Sequence, residues 1–477
     1  MQRDIKTVIL KVSVFIKVGK RKMAKLESRK MGEQPVARLL ITMALPMMLS
    51  MLTQAFYNVV DSIYVSRVSE DCLAALSIAF PVQNLLIGLG TGTAVGVGTL
   101  ISRALGAGDN ERADRVAGVS IFLMLCCGAL LASFGLFFAE GYFMAQTDIE
   151  SISQSGAVYL RIVCIGSIFA YAEIGFNRML QATSLTKLSM WGQLTGALTN
   201  IILDPFFIFG WCGLPAMGTA GAALATIIGQ FLGACVAITL NLRKNKELNF
   251  RLRNIRPDLK IIGRIYRIGF PSILMIAVGS IMNLAMNRIL LGFTSTAVAV
   301  FGAYFKLQSF AFMPVFGLNN AMVPIIGYNY GARKKERIYQ VLRWAVIYAC
   351  SIMFVVMAVF QTIPHVLLRV FDASETMMAI GIPALRRISL CYICAGFCVV
   401  AGSACQALDK SFASLVVSVM RQLVVLLPAA LLLARTGDVN MVWWAWPIAE
   451  VMGLTVSTLY LRSALKLMEK RLTEQAA

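Results

Sequence analysis

Apolar stretches of 18 or more residues recur along the chain, separated by short polar or Gly- and Pro-containing joins. About 20 such residues cross a bilayer as a helix. The pattern predicts twelve transmembrane helices near 38–66, 72–102, 116–138, 156–180, 188–210, 218–241, 264–292, 296–328, 339–363, 383–408, 412–434 and 441–463. The runs are too long for the strands of a membrane barrel and lack their period-two alternation. The expected fold class is an all-α polytopic membrane protein.

Composition strengthens this and excludes a soluble enzyme or binding domain: 58% of the 477 residues are hydrophobic, 14% are charged, and mean hydropathy is +0.73. The net charge of +20 invites a nucleic-acid reading. Its placement argues otherwise. With the N-terminus inside, 35 of the 44 Lys and Arg fall in the predicted cytoplasmic segments, and 9 of them lie in 242–267 alone. That is the positive-inside pattern, so both termini are expected in the cytoplasm of a multi-pass protein of the inner (plasma) membrane. The excess charge is held against anionic lipid, and no nucleic-acid partner is expected. Residues 1–30 carry ten basic residues and an apolar run broken by Lys11 and Lys17. They do not form a signal peptide, and read either as a membrane-surface arm or as an extension upstream of a start at Met23 or Met31.

The chain also repeats itself. At a fixed offset of 225 residues, Pro46 pairs with Pro271, Asn58 with Asn283, Gly92 with Gly317, Gly106-Ala107 with Gly331-Ala332, Glu111 with Glu336, Leu160-Arg161 with Leu385-Arg386, and Gln181-Ala182 with Gln406-Ala407. Six helices per repeat leave the two halves in the same orientation, related by an axis along the membrane normal. The predicted organisation is therefore a basic arm (1–37), a first lobe (38–241), a linker (242–263), a second lobe (264–463) and a tail (464–477). Two parallel six-helix lobes frame a central cleft whose access can alternate by rocking or bending.

Charges within the spans cost roughly 2.5–3.5 kcal/mol each on insertion scales, so each needs a partner or a purpose. The first lobe holds Asp61, Glu173 and Asp204, and the second only Glu450. Gln54, Tyr57 and Asp61 share one face of helix one, Glu173 and Asn177 stand one turn apart on helix four, and Asn200 and Asp204 repeat that spacing on helix five. Three helices can thus aim polar groups into one pocket that loads H+ or holds Na+. Glu450 reads as a functional acid, a cap or a local partner. Arg288, Lys306 and Arg421 read either as paired structural cations or as substrate contacts. Eleven scattered cysteines, including the Cys391/Cys394 pair, read as helix packing, and the single histidine, His365, lies in an outer join. Neither a zinc site nor a His-based triad can be assembled, which removes most enzymatic chemistry.

At these residues the sequence resembles the multidrug and toxic compound extrusion (MATE) family, nearest its MepA-type bacterial branch. The segments ALPMMLSMLTQAFYNVVDSIYV, SRALGAGDNERA, TNIILDPFFIFG, MGTAGAALAT and PVFGLNNAMVPIIGYNYGA carry the likeness, in order, across nearly all of 33–465. The resemblance implies a twelve-helix, two-lobe antiporter, expected as a monomer without cofactor. It would export cationic, amphipathic drugs in exchange for H+ or Na+. It assigns Asp61 and Asp204 to the cation-coupling site, with Asn200, Asn177 and Thr226 beside them. Gln54, Tyr57 and Glu173 fall in the substrate cavity, and Pro46 at a helix-one bending point. The second lobe departs from members that carry acids in helices seven and ten. Two alternatives remain: a flippase for lipid-linked oligosaccharide or polysaccharide, and an integral-membrane enzyme, for which no reactive cluster is legible.

Overall fold

The computed structural model describes residues 27–371 and 373–474. The two readings of the basic arm concern residues that fall mostly outside this range. Long helices dominate: α1 (Val36–Ser66), α2 (Glu70–Gly106), α3 (Asn110–Met144), α4 (Glu150–Ala182), α5 (Thr186–Phe209), α6 (Thr219–Lys244), α7 (Leu259–Leu291), α8 (Ser295–Gly331), α9 (Lys335–Thr362), a broken α10 (Glu375–Ser389 and Tyr392–Ala407), α11 (Ser411–Ala434, with a π-helical stretch at Met420–Leu426) and α12 (Ala445–Glu474). Among the described residues nine helices are long and apolar enough to cross a membrane alone, and the two pieces of α10 make a tenth span bent by 51°. The other two, α5 and α12, carry the polar residues that lower their hydropathy: Asn200 and Asp204 in α5, and Glu450 and a charged last third in α12.

Two elements differ from the sequence expectation. Helix ten is longer than 383–408 and breaks at Leu390–Cys391. There Gln361 of α9 donates to the carbonyl of Arg386 (2.6 Å) and the Cys391 thiol to that of Ile388 (3.0 Å). Side chains that take over carbonyls from the helical ladder produce a kink of this kind without proline. Helix α12 runs through the expected tail to Glu474, because its last turns are rich in Leu, Lys, Arg and Glu, all good helix formers.

The repeat is visible in the backbone. Ser69 and Thr294, 225 residues apart, both N-cap their helices with a side-chain oxygen, accepting from Cys72 N and Ala297 N. Gly108 and Arg333 both take the left-handed conformation (φ +75° and +58°), as do Ser184 and Asp409 (both φ +64°). Contacts between lobes obey the same offset. A Cβ on Gly106 would run into the carbonyl of Tyr328, and one on Gly331 into that of Arg103. Likewise α2 reaches α7 through Gly92 beside Gly269 and Ile273, and α8 reaches α1 through Gly317 beside Met47 and Met48. The two lobes therefore seat on each other by near-equivalent helix pairs around one axis.

Polar contacts between the lobes gather at the end bearing the 106 and 331 turns, here termed the basic end. Arg103 stacks over Tyr330 (4.4 Å), forms an ion pair with Asp409 and donates to Ala407 O (2.7 Å). Arg178 of α4 donates to Asn320 of α8 (3.2 Å). A strap, Glu27–Gln34, leads into α1 yet docks on the other lobe: Asn329 donates to Met31 O (2.8 Å), Lys334 to Gly32 O (2.9 Å) and Arg337 to Gln34 O (2.7 Å). The lead-in to α7 answers it by crossing to α3, where Asn249 N donates to Asp114 (2.8 Å). Met31, fully buried, anchors the strap.

Candidate functional site

The polar groups of the first lobe meet because small residues open room for them. On α5, Gly192, Gly196, Asn200 and Asp204 recur every four residues and so share one face. That face packs on α6, whose Gly229 and Gly233 form a matching notch. Glu173 of α4 enters the notch, and a Cβ at Gly196 or Gly233 would come within 2.9 or 2.7 Å of its Oε1. Asn177, one turn along α4, lies against Gly192 in the same way.

Asp204 is fully buried, and Asn200 and Asn177 are each 3% exposed. Asn200 Nδ2 donates to Asp204 Oδ1 (3.3 Å) and to Thr226 Oγ1 of α6 (3.2 Å). Asp204 Oδ2, Asn200 Oδ1, Asp61 Oδ1 and both amide atoms of Asn177 are buried with no hydrogen-bond partner. Orphaned polar atoms are costly, and their grouping on these three helices makes this the candidate site. Asp61 reaches this group from α1, within Coulombic range of Asp204, and the packing of Tyr64 on Phe209 (5.9 Å) holds α1 to α5 nearby. Tyr57, one turn from Gln54, lies within Coulombic range of Glu173, Asp61 and Asp204.

The candidate residues thus fall into layers. Asp61, Asp204, Asn200 and Thr226 form one, with Tyr57 and Gln54 at its half-buried to exposed edge. Glu173 lies deeper. Asn177 faces Gly192, eight residues from Asn200 on α5 and so about 12 Å along the helix, which puts it in a separate layer. Pro46 is buried in α1 beside the Gly317 contact. Two residues were missed: Tyr159 of α4, buried within Coulombic range of Asp61, and Gln83 of α2, which hydrogen-bonds its hydroxyl. Gln83 has a legible signal, since Gln308 stands at the 225-residue offset. Tyr159 has none, because Ala384 is its counterpart.

Among the described residues, no group of three or more His, Cys, Asp or Glu side chains is placed to hold a metal ion. A Na+ in the first lobe would therefore draw its oxygens from one or two carboxylates together with amide, hydroxyl and main-chain groups, a hard-oxygen set of the kind such cations accept. In the second lobe Arg421 and Glu450 form an ion pair (2.9 Å), so the two residues left open by the sequence are each other's partner. Arg288 lies in the last turn of α7 and Lys306 in α8, both exposed.

Twelve helices in two parallel lobes, with acids inside the first that have no ion-pair partner among the described residues, define a multi-pass membrane transporter rather than an enzyme. The chain belongs to the MatE family: the family model matches twice, over residues 46–206 and 271–432, once in each lobe and starting each time at the repeated proline. Multidrug export protein MepA of Staphylococcus aureus (strain bovine RF122 / ET3-1) is 26% identical over 424 residues, 88% of this chain and 92% of that protein. MepA of Staphylococcus saprophyticus is 26% identical over 436 residues, covering 91% and 94%. Among solved structures, the outward-facing conformation of a multidrug resistance MATE family transporter of the MOP superfamily superposes with a TM-score of 0.88 at 25% identity, covering 94% of this chain and 99% of that one.

Proposed function

We propose that the protein is a secondary active antiporter of the plasma membrane that exports cationic, amphipathic compounds in exchange for H+ or Na+ by alternating access. The observation that carries this reading is the asymmetry of the lobes: among the described residues, half-buried Asp61 and buried Asp204 of the first lobe have no ion-pair partner and each leaves an oxygen unpartnered, whereas Glu450 of the second lobe is charge-paired with Arg421. Loading an ion between Asp61 and Asp204 removes one of the layer's two negative charges, lets helix α1 reposition about Pro46, and lowers the affinity of the same lobe for a cationic substrate. Contacts that gather at the basic end support reading this form as outward-facing, with that end and both termini in the cytoplasm. The flippase reading loses its main support, since Arg421 is neutralised by Glu450 and Arg288 sits where a long side chain reaches the interface.

Proteoliposomes loaded with ethidium test the coupling. Imposing a Na+ gradient or a pH gradient, one at a time, is expected to drive ethidium movement with one of them and not in their absence. Movement with neither overturns the antiport reading. A second measurement addresses the strap: Lys334→Ala/Arg337→Ala removes donors to Met31, Gly32 and Gln34. Each such charged bond is worth about 1.5–3 kcal/mol, so the double variant is expected to open the basic end about ten-fold or more often. Faster labelling of a cysteine placed at Ser102, which is buried there, reads this out. Unchanged labelling would show that the strap does not hold the lobes together.

A further inference from the structure

The ion pair of the second lobe is only half made. Arg421 Nη1 donates to Glu450 Oε1 at 2.9 Å, while Glu450 Oε2 is buried with no partner. A pair kept for stability alone gains most from two parallel bonds, and even then apolar residues of similar volume serve as well or better. Arg421 also stands in the π-helical stretch Met420–Leu426, a distortion that recurs at functional positions. Its stem lies across Gly453 of α12, where a Cβ would come within 3.0 Å of Arg421 Cδ. A side chain at Gly453 would therefore crowd the Arg421 stem.

The surroundings of Glu450 suit an organic cation. Trp446 precedes it by one turn and Trp443 by two, on the same face of the chain leading into and along α12. Trp446 packs on Trp443 (5.8 Å), on Phe301 (5.8 Å) and on Tyr304 (6.0 Å), and Tyr304 lies within Coulombic range of Glu450. Trp443 Nε1 is a second buried polar atom without a partner. A carboxylate with a spare oxygen beside aromatic rings is the composition that recognises ammonium and aromatic cations. Both charged side chains keep some open surface, 22% for Arg421 and 12% for Glu450, so the pair is reachable.

We propose that Glu450 is a binding position in the second lobe for the charged group of an organic cation, and that Arg421 is the resident cation which that group displaces. The inference rests on the export reading above and extends it. An empty lobe keeps its acid neutralised by Arg421, and an arriving substrate releases the guanidinium into the cleft. The second lobe thereby senses substrate charge without a coupling ion of its own.

Ethidium binding to the purified full-length protein, followed by fluorescence polarisation with unfolding temperature measured in parallel, tests this on Arg421→Met, Glu450→Gln and the double variant. Arg421→Met is expected to tighten ethidium binding about ten-fold, the factor for a site whose open form is about a tenth of the population. Glu450→Gln is expected to weaken it by a similar factor. The double variant is expected to bind as weakly as Glu450→Gln while regaining the thermal stability lost in the single variants. Equal binding by wild type and all three variants, per folded protein, makes the pair structural and overturns the proposal while leaving the export reading standing. A wild type that binds no ethidium overturns both.

Discussion

Cells expressing Asp61→Asn or Asp204→Asn are expected to accumulate ethidium to the level of cells without the transporter, at matched amounts of protein in the membrane. Asparagine keeps the volume and most of the hydrogen-bonding capacity of aspartate, and removes the charge. Asp204 is the sterner case. It is fully buried, takes its one side-chain bond from Asn200, and leaves Oδ2 without a partner. An uncompensated buried carboxylate costs several kcal/mol, so the Asn variants are expected to unfold at the same temperature as wild type or higher. Loss of export with undiminished stability is the combination that a functional acid produces and a structural one does not. The size of the loss follows from coupling: each charge moved across 100 mV carries about 2.3 kcal/mol, about fifty-fold in concentration, and an uncoupled variant forfeits it. Export by either variant equal to wild type would remove that residue from the coupling site.

Gly106→Val and Gly331→Val are expected to abolish transport by a different route. Each glycine ends a helix of the pair that seals the lobes, and a Cβ on either would collide with a backbone carbonyl of the opposite lobe, Tyr328 O for Gly106 and Arg103 O for Gly331. Backbone cannot swing aside as a side chain does, so the helices must separate. Overpacking of this kind costs about 1–3 kcal/mol, and here it falls only on the form closed at the basic end. The closed form is thus expected to lose about five- to a hundred-fold in population, with insertion and lobe folding intact. Spin labels at Asn110 and Lys335, equivalent positions flanking the two turns, are expected to move apart in both variants. Because the two sites are related by the repeat, the variants should match each other in size. Gly141→Ala serves as the control: nothing lies within 4 Å of a Cβ there, so replacing a helical glycine with the best helix former is expected to stabilise by about 0.5–1 kcal/mol and leave transport unchanged. Closed label distances in Gly106→Val would show that the glycine contact does not govern the seal.

Helix count, the repeat and most of the first-lobe site were legible in the residues alone, for a common physical reason. Membrane crossing needs a local run of apolar residues, and the duplicated lobes preserve pairwise identities at one offset, so both can be read without knowing what touches what. Asp61, Asn200 and Asp204 stood out for the same reason, as local violations of an apolar rule. The sequence could also place Asn200 and Asp204 on one face. It could not show that Gly192, Gly196, Gly229 and Gly233 clear a path for Glu173 and Asn177, because a glycine in a membrane helix has no local mark that says what fills its space. Nor could it set Asn177 in a layer of its own.

The rest was decided by packing between distant parts of the chain. The Arg103 and Asp409 pair joins residues 306 apart, Asn329 reaches the strap across 298, and Arg421 finds Glu450 across 29. The break in α10 follows from Gln361 on the neighbouring helix, and Tyr159 is joined by Gln83 from a helix 76 residues away in sequence. By itself, then, the sequence determined how many times the chain crosses the membrane, that it does so twice over in parallel, and which acids stand where lipid-soluble residues belong. Tertiary structure alone decided which of those acids stand without a cation and which is charge-paired, since the difference lies in a partner brought in from another helix.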